Sequence, residues 1–212
     1  MKERYMVEFY NHTKKDFEEV SKIENDYFEP ETIASVDQVM LWDNKNNDIH
    51  IFVRDVISNC IVGEITLLPL NDEQFIKFIK NELSDTELNH KTLESYKDNT
   101  CYNLLLSAIA IDKKYREEKA VLSYLLKGLN QKINSLLSKE IKFKNMCAEG
   151  QTKEGQKFLE SFLDLKEKGL TKEGYKLYSF DNTDEFLKWF KRFPKYIEEY
   201  DKKFQLDKKH LQ

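Results

Sequence analysis

Glycine, proline, cysteine and histidine are all scarce, at 6, 3, 3 and 4 of 212 residues. With so little glycine and proline there is no Gly- or Pro-rich linker, and no internal repeat or low-complexity segment is visible. Cys60, Cys101 and Cys147 are odd in number and far apart. That argues against a disulfide framework or a clustered zinc site and fits a reducing cytoplasm. His12, His50, His90 and His210 form no HxxxH or HxH pair, so no metal site is expected. No apolar run approaches the ~20 residues of a membrane span. The opening Met-Lys-Glu-Arg-Tyr-Met-Val-Glu lacks an apolar signal-peptide core. No membrane association is expected, and the expected location is the cytoplasm. Neither sign of charge dominates: 34 Lys and Arg stand against 38 Asp and Glu, a net charge of −4. That gives no electrostatic case for nucleic acid.

What is present is a globular balance, 40% hydrophobic and 34% charged, in a length that makes one sizeable domain. The organising stretch is Leu104 to Leu137. Leu104 to Ile111 is apolar at nearly every position, as in a strand buried on both faces. From Val121 the apolar residues fall at Leu122, Leu125, Leu126, Leu129, Ile133, Leu136 and Leu137, the spacing of one helix face. A charged turn joins the two. A buried strand, a turn and a long helix's N-terminus make an anion site, because first-turn N–H groups lack intrahelical partners.

Along the chain, Tyr5 to Tyr10 reads as a first strand, with Met6 or Val7 and Phe9 turned inward. Thr13 can cap a helix carrying Phe17, Val20, Ile23 and Tyr27. Pro30 opens a further segment, and Val36, Val39, Met40 and Trp42 repeat at helical spacing. Ile49 to Val56 and Cys60 to Leu68 read as a hairpin, with His50 turned to its more polar face and Gly63 marking a bulge or close packing. In Asn71 to Thr100, Asn71 or Asp72 caps a short helix through Leu83. Ser84-Asp-Thr-Glu87 is a capping-box pattern for another, with Leu88, Leu93 and Tyr96 on one side. A connection this long covers a site, forms a dimer contact, or is a surface elaboration. Ile141 to Met146 alternates as a strand, and Ala148 to Gln151 reads as a loop. Thr152 caps a short helix. Leu163 to Glu167 and Tyr175 to Phe180 read as the last strands. Phe186, Trp189, Phe190, Phe193, Ile197, Tyr200 and Phe204 then stripe a final helix, which Pro194 should kink or split. So aromatic a stripe must be buried, on the domain itself or on another chain.

Ala-Ile-Ala-Ile-Asp followed by Tyr115-Arg116-Glu117-Glu118-Lys119-Ala120-Val121 resembles the acyl-CoA pyrophosphate loop of the GNAT N-acetyltransferases, Arg/Gln-x-x-Gly-x-Gly/Ala. Arg116 matches the first position, while Lys119 and Val121 stand where the glycines would be. Thr152-Lys-Glu-Gly-Gln-Lys-Phe158-Leu159 resembles the family's Asn-x-x-Ala-x-x-Phe-Tyr segment, with Leu159 in place of the Tyr that protonates the leaving thiolate. The resemblance spans Met6 to Phe180 as a pattern of elements. It implies an α/β (α+β) fold: a mixed, mostly antiparallel sheet flanked by helices. The domain would cover residues 1–182, with a helical insertion at about 71–100, and residues 183–212 would be a helical extension packed on it.

The resemblance further implies acetyl transfer from acetyl-CoA to a primary amine of a small molecule or peptide, without a metal. The backbone of Ile109, Ala110 and Ile111 would hold the acyl-pantetheine arm. Arg116, Glu117, Glu118, Lys119, Ala120 and Val121, with Thr152, would hold the rest of the cofactor. A Cβ at 119 and 121 narrows access to the phosphates, which a direct Lys119 charge would partly offset. Glu64, a carboxylate inside a strand, is the candidate base, with a solvated strand residue as its plain reading. Tyr178, and equally Tyr175, could replace the missing Tyr, although strand aromatics mostly pack. Ser107 reads as a small core polar residue and Asp112 as a turn residue. The alternatives are a non-catalytic GNAT-fold module, binding CoA or a protein partner (a homodimer included), and an unrelated α/β domain. The acyltransferase and the non-catalytic module require the central strands to diverge near Ala110; the unrelated domain does not.

Overall fold

The computed structural model describes residues 3–210, and residues 203–210 by their backbone alone. Seven strands form one sheet: β1 Tyr5–Glu8, β2 His50–Asp55, β3 Cys60–Leu70, β4 Cys101–Ile111, β5 Lys142–Gly150, β6 Lys166–Leu170 and β7 Lys176–Ser179. Their order is β1-β2-β3-β4-β5-β7-β6, and among the described residues β4–β5 is the one parallel pairing. Among the described residues six α-helices flank it: α1 Lys14–Glu24, α2 Val36–Lys45, α3 Asp72–Ile79, α4 Lys119–Ser138, α5 Lys153–Ser161 and α6 Thr183–His210. This is the mixed, mostly antiparallel sheet with flanking helices that the resemblance implies.

The continuous apolar run of β4 is explained by its position: Leu104, Leu105 and Leu106 are buried between layers on both faces. On one face α4 lays down Leu125, Leu126, Leu129, Ile133 and Leu136. Gly128 permits this approach, because a Cβ there would stand 2.7 Å from Ile51 Cγ2 and 2.9 Å from Val7 Cγ1. Phe186, Trp189, Phe193 and Ile197 of α6 enter the same core. The helix runs on through Pro194 and is not split in two. Burial of Trp189 and Phe193 before the proline and of Ile197 after it offsets the lost backbone hydrogen bond. Phe204 lies outside the described side chains. On the other face α1 and α2 cover the sheet, with Phe17, Val20 and Ile23 packed on Phe52, Ile61 and Ala110.

Several expected boundaries move. The Ser84–Glu87 capping box forms, with Glu87 Oε2 accepting from the Ser84 N–H at 2.7 Å. It closes only a 3-10 turn at Asp85–Glu87, and no helix follows through 88–100. Ala148 to Gly150 is strand, because β7 pairs with it. The strand expected at Leu163 to Glu167 begins later, at Lys166. Met6 is exposed, whereas Tyr5, Val7 and Phe9 face the core. His50 turns away from solvent: α1 covers its face, with the Phe17 ring centroid 5.2 Å from the imidazole.

Candidate active site

The central parallel strands separate part-way along. Their pairing ends at Leu106↔Ala148, yet β4 continues to Ile111 and β5 to Gly150. At the same point Thr66 pairs with Ala108 and Leu67 with Leu106, so Ser107 is an extra residue bulged out of β4. A bulge bends its strand and re-aims its side chain. Beyond it, β4 stays paired with β3 alone. The Asp112 N–H bonds Val62 O at 3.0 Å, so by alternation the backbone groups of Ile109 and Ile111 face the side β5 has left. Ala110 is directed to β3. The Ile111 carbonyl accepts from Tyr27 Oη at 2.8 Å.

The opening leads into a cavity of about 60 Å³ under α1, α2 and the insertion. Glu24, Glu64, Asp85 and Glu149 all line it. Glu64 is 1% exposed and lies opposite Ala110 on β4. Its Oε1 is enclosed without a hydrogen-bond partner, and Glu24 and Thr66 share the cavity wall with it. Burial, then the charge of Glu24, pushes Glu64 well above the ordinary carboxylate range. Glu24 is pushed up to about 7, mainly by burial and further by Asp85, against the hydrogen bond from Glu64. Glu149 is also pushed up to about 7 by burial, while Gln151 Nε2 donates to it at 2.9 Å and partly offsets the rise. Burial raises Asp85 too, against a 2.6 Å hydrogen bond from Ser107 Oγ. His50 Nδ1 lies 3.0 Å from Thr66 Oγ1, and burial drives its pKa down to about 3, so the ring is neutral.

The insertion is part of this site. Phe78 and Asp85 line the cavity. The segment is fastened over α2 by Trp42 Nε1 and Gln38 Nε2, which donate to Leu88 O at 2.6 and 3.2 Å.

The loop from Asp112 to Val121 is tied down at several points. Asp112 Oδ1 accepts from the Lys114 N–H at 2.8 Å and starts a 3-10 turn at Lys113–Tyr115. Tyr115 Oη donates to the buried Asp55 at 3.0 Å. Glu118 turns its carboxylate outward to Arg4 and Tyr5 and does not cap α4. The N–H groups of Glu118, Lys119 and Val121 bond the carbonyls of Tyr115, Glu117 and Glu118 at 2.8, 3.1 and 2.9 Å. Arg116 is exposed, 3.0 Å from Glu154 at the start of α5 and beside the Tyr27 ring. Glu117 is exposed, Ala120 is half-buried, and Val121 is buried against Gly63. Thr152 Oγ1 caps α5 by accepting from the Gly155 N–H at 3.0 Å.

Of the residues singled out in the sequence, Glu64 and Ser107 therefore share the cavity, and Ile109 and Ile111 sit on the separated strand. Tyr178 does not join them. It is fully buried in the core beneath α5, and its hydroxyl donates to Glu160 at 2.7 Å. Burial and that carboxylate hold its proton in place. Tyr175 does not line the cavity either. Glu24, Asp85 and Glu149 were missed. Glu24 left a signal: it lies four residues after Val20 and seven after Phe17, on the apolar stripe of α1. Asp85 left none, since it sits inside a capping box.

No family model matches the sequence, and no curated protein sequence matches it either. Solved structures do resemble the fold. Ard1 from Thermoplasma volcanium superposes with a TM-score of 0.51 at 11% identity, over 83% of this chain and 95% of that one. An N-acetyltransferase from Staphylococcus aureus Mu50 gives 0.51 at 15% identity, over 84% of this chain and 99% of that one. At these identities the likeness is one of fold.

Proposed function

From the GNAT fold of this chain, we propose that it is an N-acetyltransferase, moving an acetyl group from acetyl-CoA to a primary amine. The observation that carries this reading is the opening between β4 and β5 past Leu106↔Ala148, which leads to the buried Glu64. Open backbone groups on Ile109 and Ile111 suit the amides of an acyl-pantetheine arm, once Tyr27 Oη releases the Ile111 carbonyl. Arg116, Glu117, Glu118, Lys119, Ala120 and Val121 at the start of α4, with Thr152 capping α5 nearby, form the pyrophosphate end. There the helix N-terminus and the charges of Arg116 and Lys119 favour an anion.

Within the cavity Glu64 is the base. It takes a proton from the ammonium directly or through a water, and the free amine attacks the thioester carbonyl carbon. The C–N bond forms, the C–S bond breaks, and the second proton that the nitrogen sheds on becoming an amide passes to the thiolate. Glu24 is a positioning residue: it shares a proton with Glu64 and raises its basicity. The proposal assigns no protein acid to the thiolate, since Leu159 cannot donate and Tyr178 is turned elsewhere.

One observation favours a second reading, a non-catalytic CoA-binding or interaction module. Three loop amides are already bonded within the loop, and side chains stand where glycines would admit phosphate. Release of free thiol from acetyl-CoA in the presence of primary amines separates the two. Thiol release that Glu64→Gln lowers ~100-fold or more at neutral pH supports the first. Acetyl-CoA binding without thiol release for any amine supports the second.

A further inference from the structure

The charge of the cavity is not balanced. Four carboxyls line it, and no lysine or arginine does. His50 adds no positive charge. Glu64 Oε1 and His50 Nε2, both enclosed, have no hydrogen-bond partner. A buried acceptor without a donor is costly, and so is a set of carboxyls, one buried and three half-buried, without a cation. The chemistry that satisfies both is a cationic N–H donor.

The carboxyls come as two groups. Glu24 of α1 and Glu64 of β3, the strand α1 packs over, form one. Asp85 of the insertion, bonded to the bulge residue Ser107, and Glu149, the first β5 residue past its pairing with β4, form the other, where the strands part. Rings of Phe28, Trp42, Phe52 and Phe78 supply much of the remaining wall. Aromatic walls suit methylene groups, and their faces attract an ammonium. One ammonium would leave one group of carboxyls uncompensated. Bulk is excluded, because the insertion is bonded down over α2 and the enclosed space is small.

We propose that the acceptor is a slender alkyl diamine, with its reacting nitrogen at Glu24 and Glu64 and its second ammonium held by Asp85 and Glu149. The inference rests on reading this cavity as the acceptor site. It makes the insertion the source of specificity, through Asp85.

Titration calorimetry on the full chain tests it, with 1,4-diaminobutane, 1-aminobutane and magnesium chloride as separate titrants. The diamine should bind at least tenfold more tightly than the monoamine, and Asp85→Asn should bring it down to the monoamine's level. Equal affinities for the two amines in the unsubstituted protein overturn the proposal, whether or not the variant folds. So does binding of neither amine, or a magnesium response as strong as the diamine's. Acetyl-CoA is titrated separately: if it does not bind while the diamine does, the acyl-transfer reading fails and the diamine site stands.

Discussion

Ser107 Oγ donates to Asp85 Oδ2 at 2.6 Å. This bond joins the bulge residue of β4, at the point where β5 leaves, to the segment inserted between β3 and β4. The residue that marks the opening of the sheet therefore also positions a carboxyl contributed by the insertion. Ser107→Ala leaves Asp85 with one fewer donor in a half-buried setting, which should cost ~1 kcal/mol of stability. Urea unfolding at neutral pH measures it, and the loss should shrink in Ser107→Ala/Asp85→Asn, where no charge is stranded.

Stability should fall as pH rises through the near-neutral range. Glu24 and Glu149 move from an ordinary value of 4.5 up to about 7 on folding, chiefly by burial, and Glu64 moves the same way. The folded state therefore binds more protons than the unfolded state between pH 4.5 and about 7. The favourable contribution is complete below that window and is lost as pH climbs through it. Glu64→Gln removes one such charge, so it should exceed the parent in stability at pH 8 and do so by less at pH 5. Melting curves at the two pH values check the sign.

A second buried charge group behaves in the opposite way. Lys132 Nζ, from the buried face of α4, lies 3.1 Å from Asp48 Oδ1, and Lys139 Nζ lies 2.9 Å from Oδ2. Tyr10 Oη also donates to Asp48, and its ring lies 4.4 Å from Lys132 Nζ. Asp48→Ala leaves Lys132 buried without its counter-charge and should cost ~3–5 kcal/mol. Lys132→Met keeps the shape and should cost clearly less. Similar losses from both variants in chemical denaturation would contradict this account.

Gly128→Ala sets a Cβ against Ile51 and Val7, whose side-chain methyls must then shift. A loss of ~1–3 kcal/mol is expected despite alanine's better helix propensity. A gain in stability would show that α4 has room to move off β1 and β2.

The parts of this fold that could be read from sequence are those with local causes. Leu104 to Ile111 is apolar without alternation because layers cover both faces of β4, and the leucines of α4 repeat at the spacing of its buried face. Thr13, Asn71 and Thr152 cap helices by contacts three residues away. The candidate site is mostly non-local. Glu24 meets Glu64, and Asp85 meets Ser107, only once α1 and the insertion close over the sheet. His50 alternates like a solvent-facing residue, yet its face is covered by α1. Tyr178 alternates correctly within β7, but it faces the core beneath α5, away from the cavity.

The central claim is that the gap between β4 and β5 receives an acyl-CoA. A thermal melt with and without acetyl-CoA, alongside desulfo-CoA, tests it most directly. Ligand at a hundred times its dissociation constant should add ~2.7 kcal/mol and a clear rise in Tm, with Arg116→Ala reducing the rise. An unchanged Tm at millimolar acetyl-CoA would contradict the account.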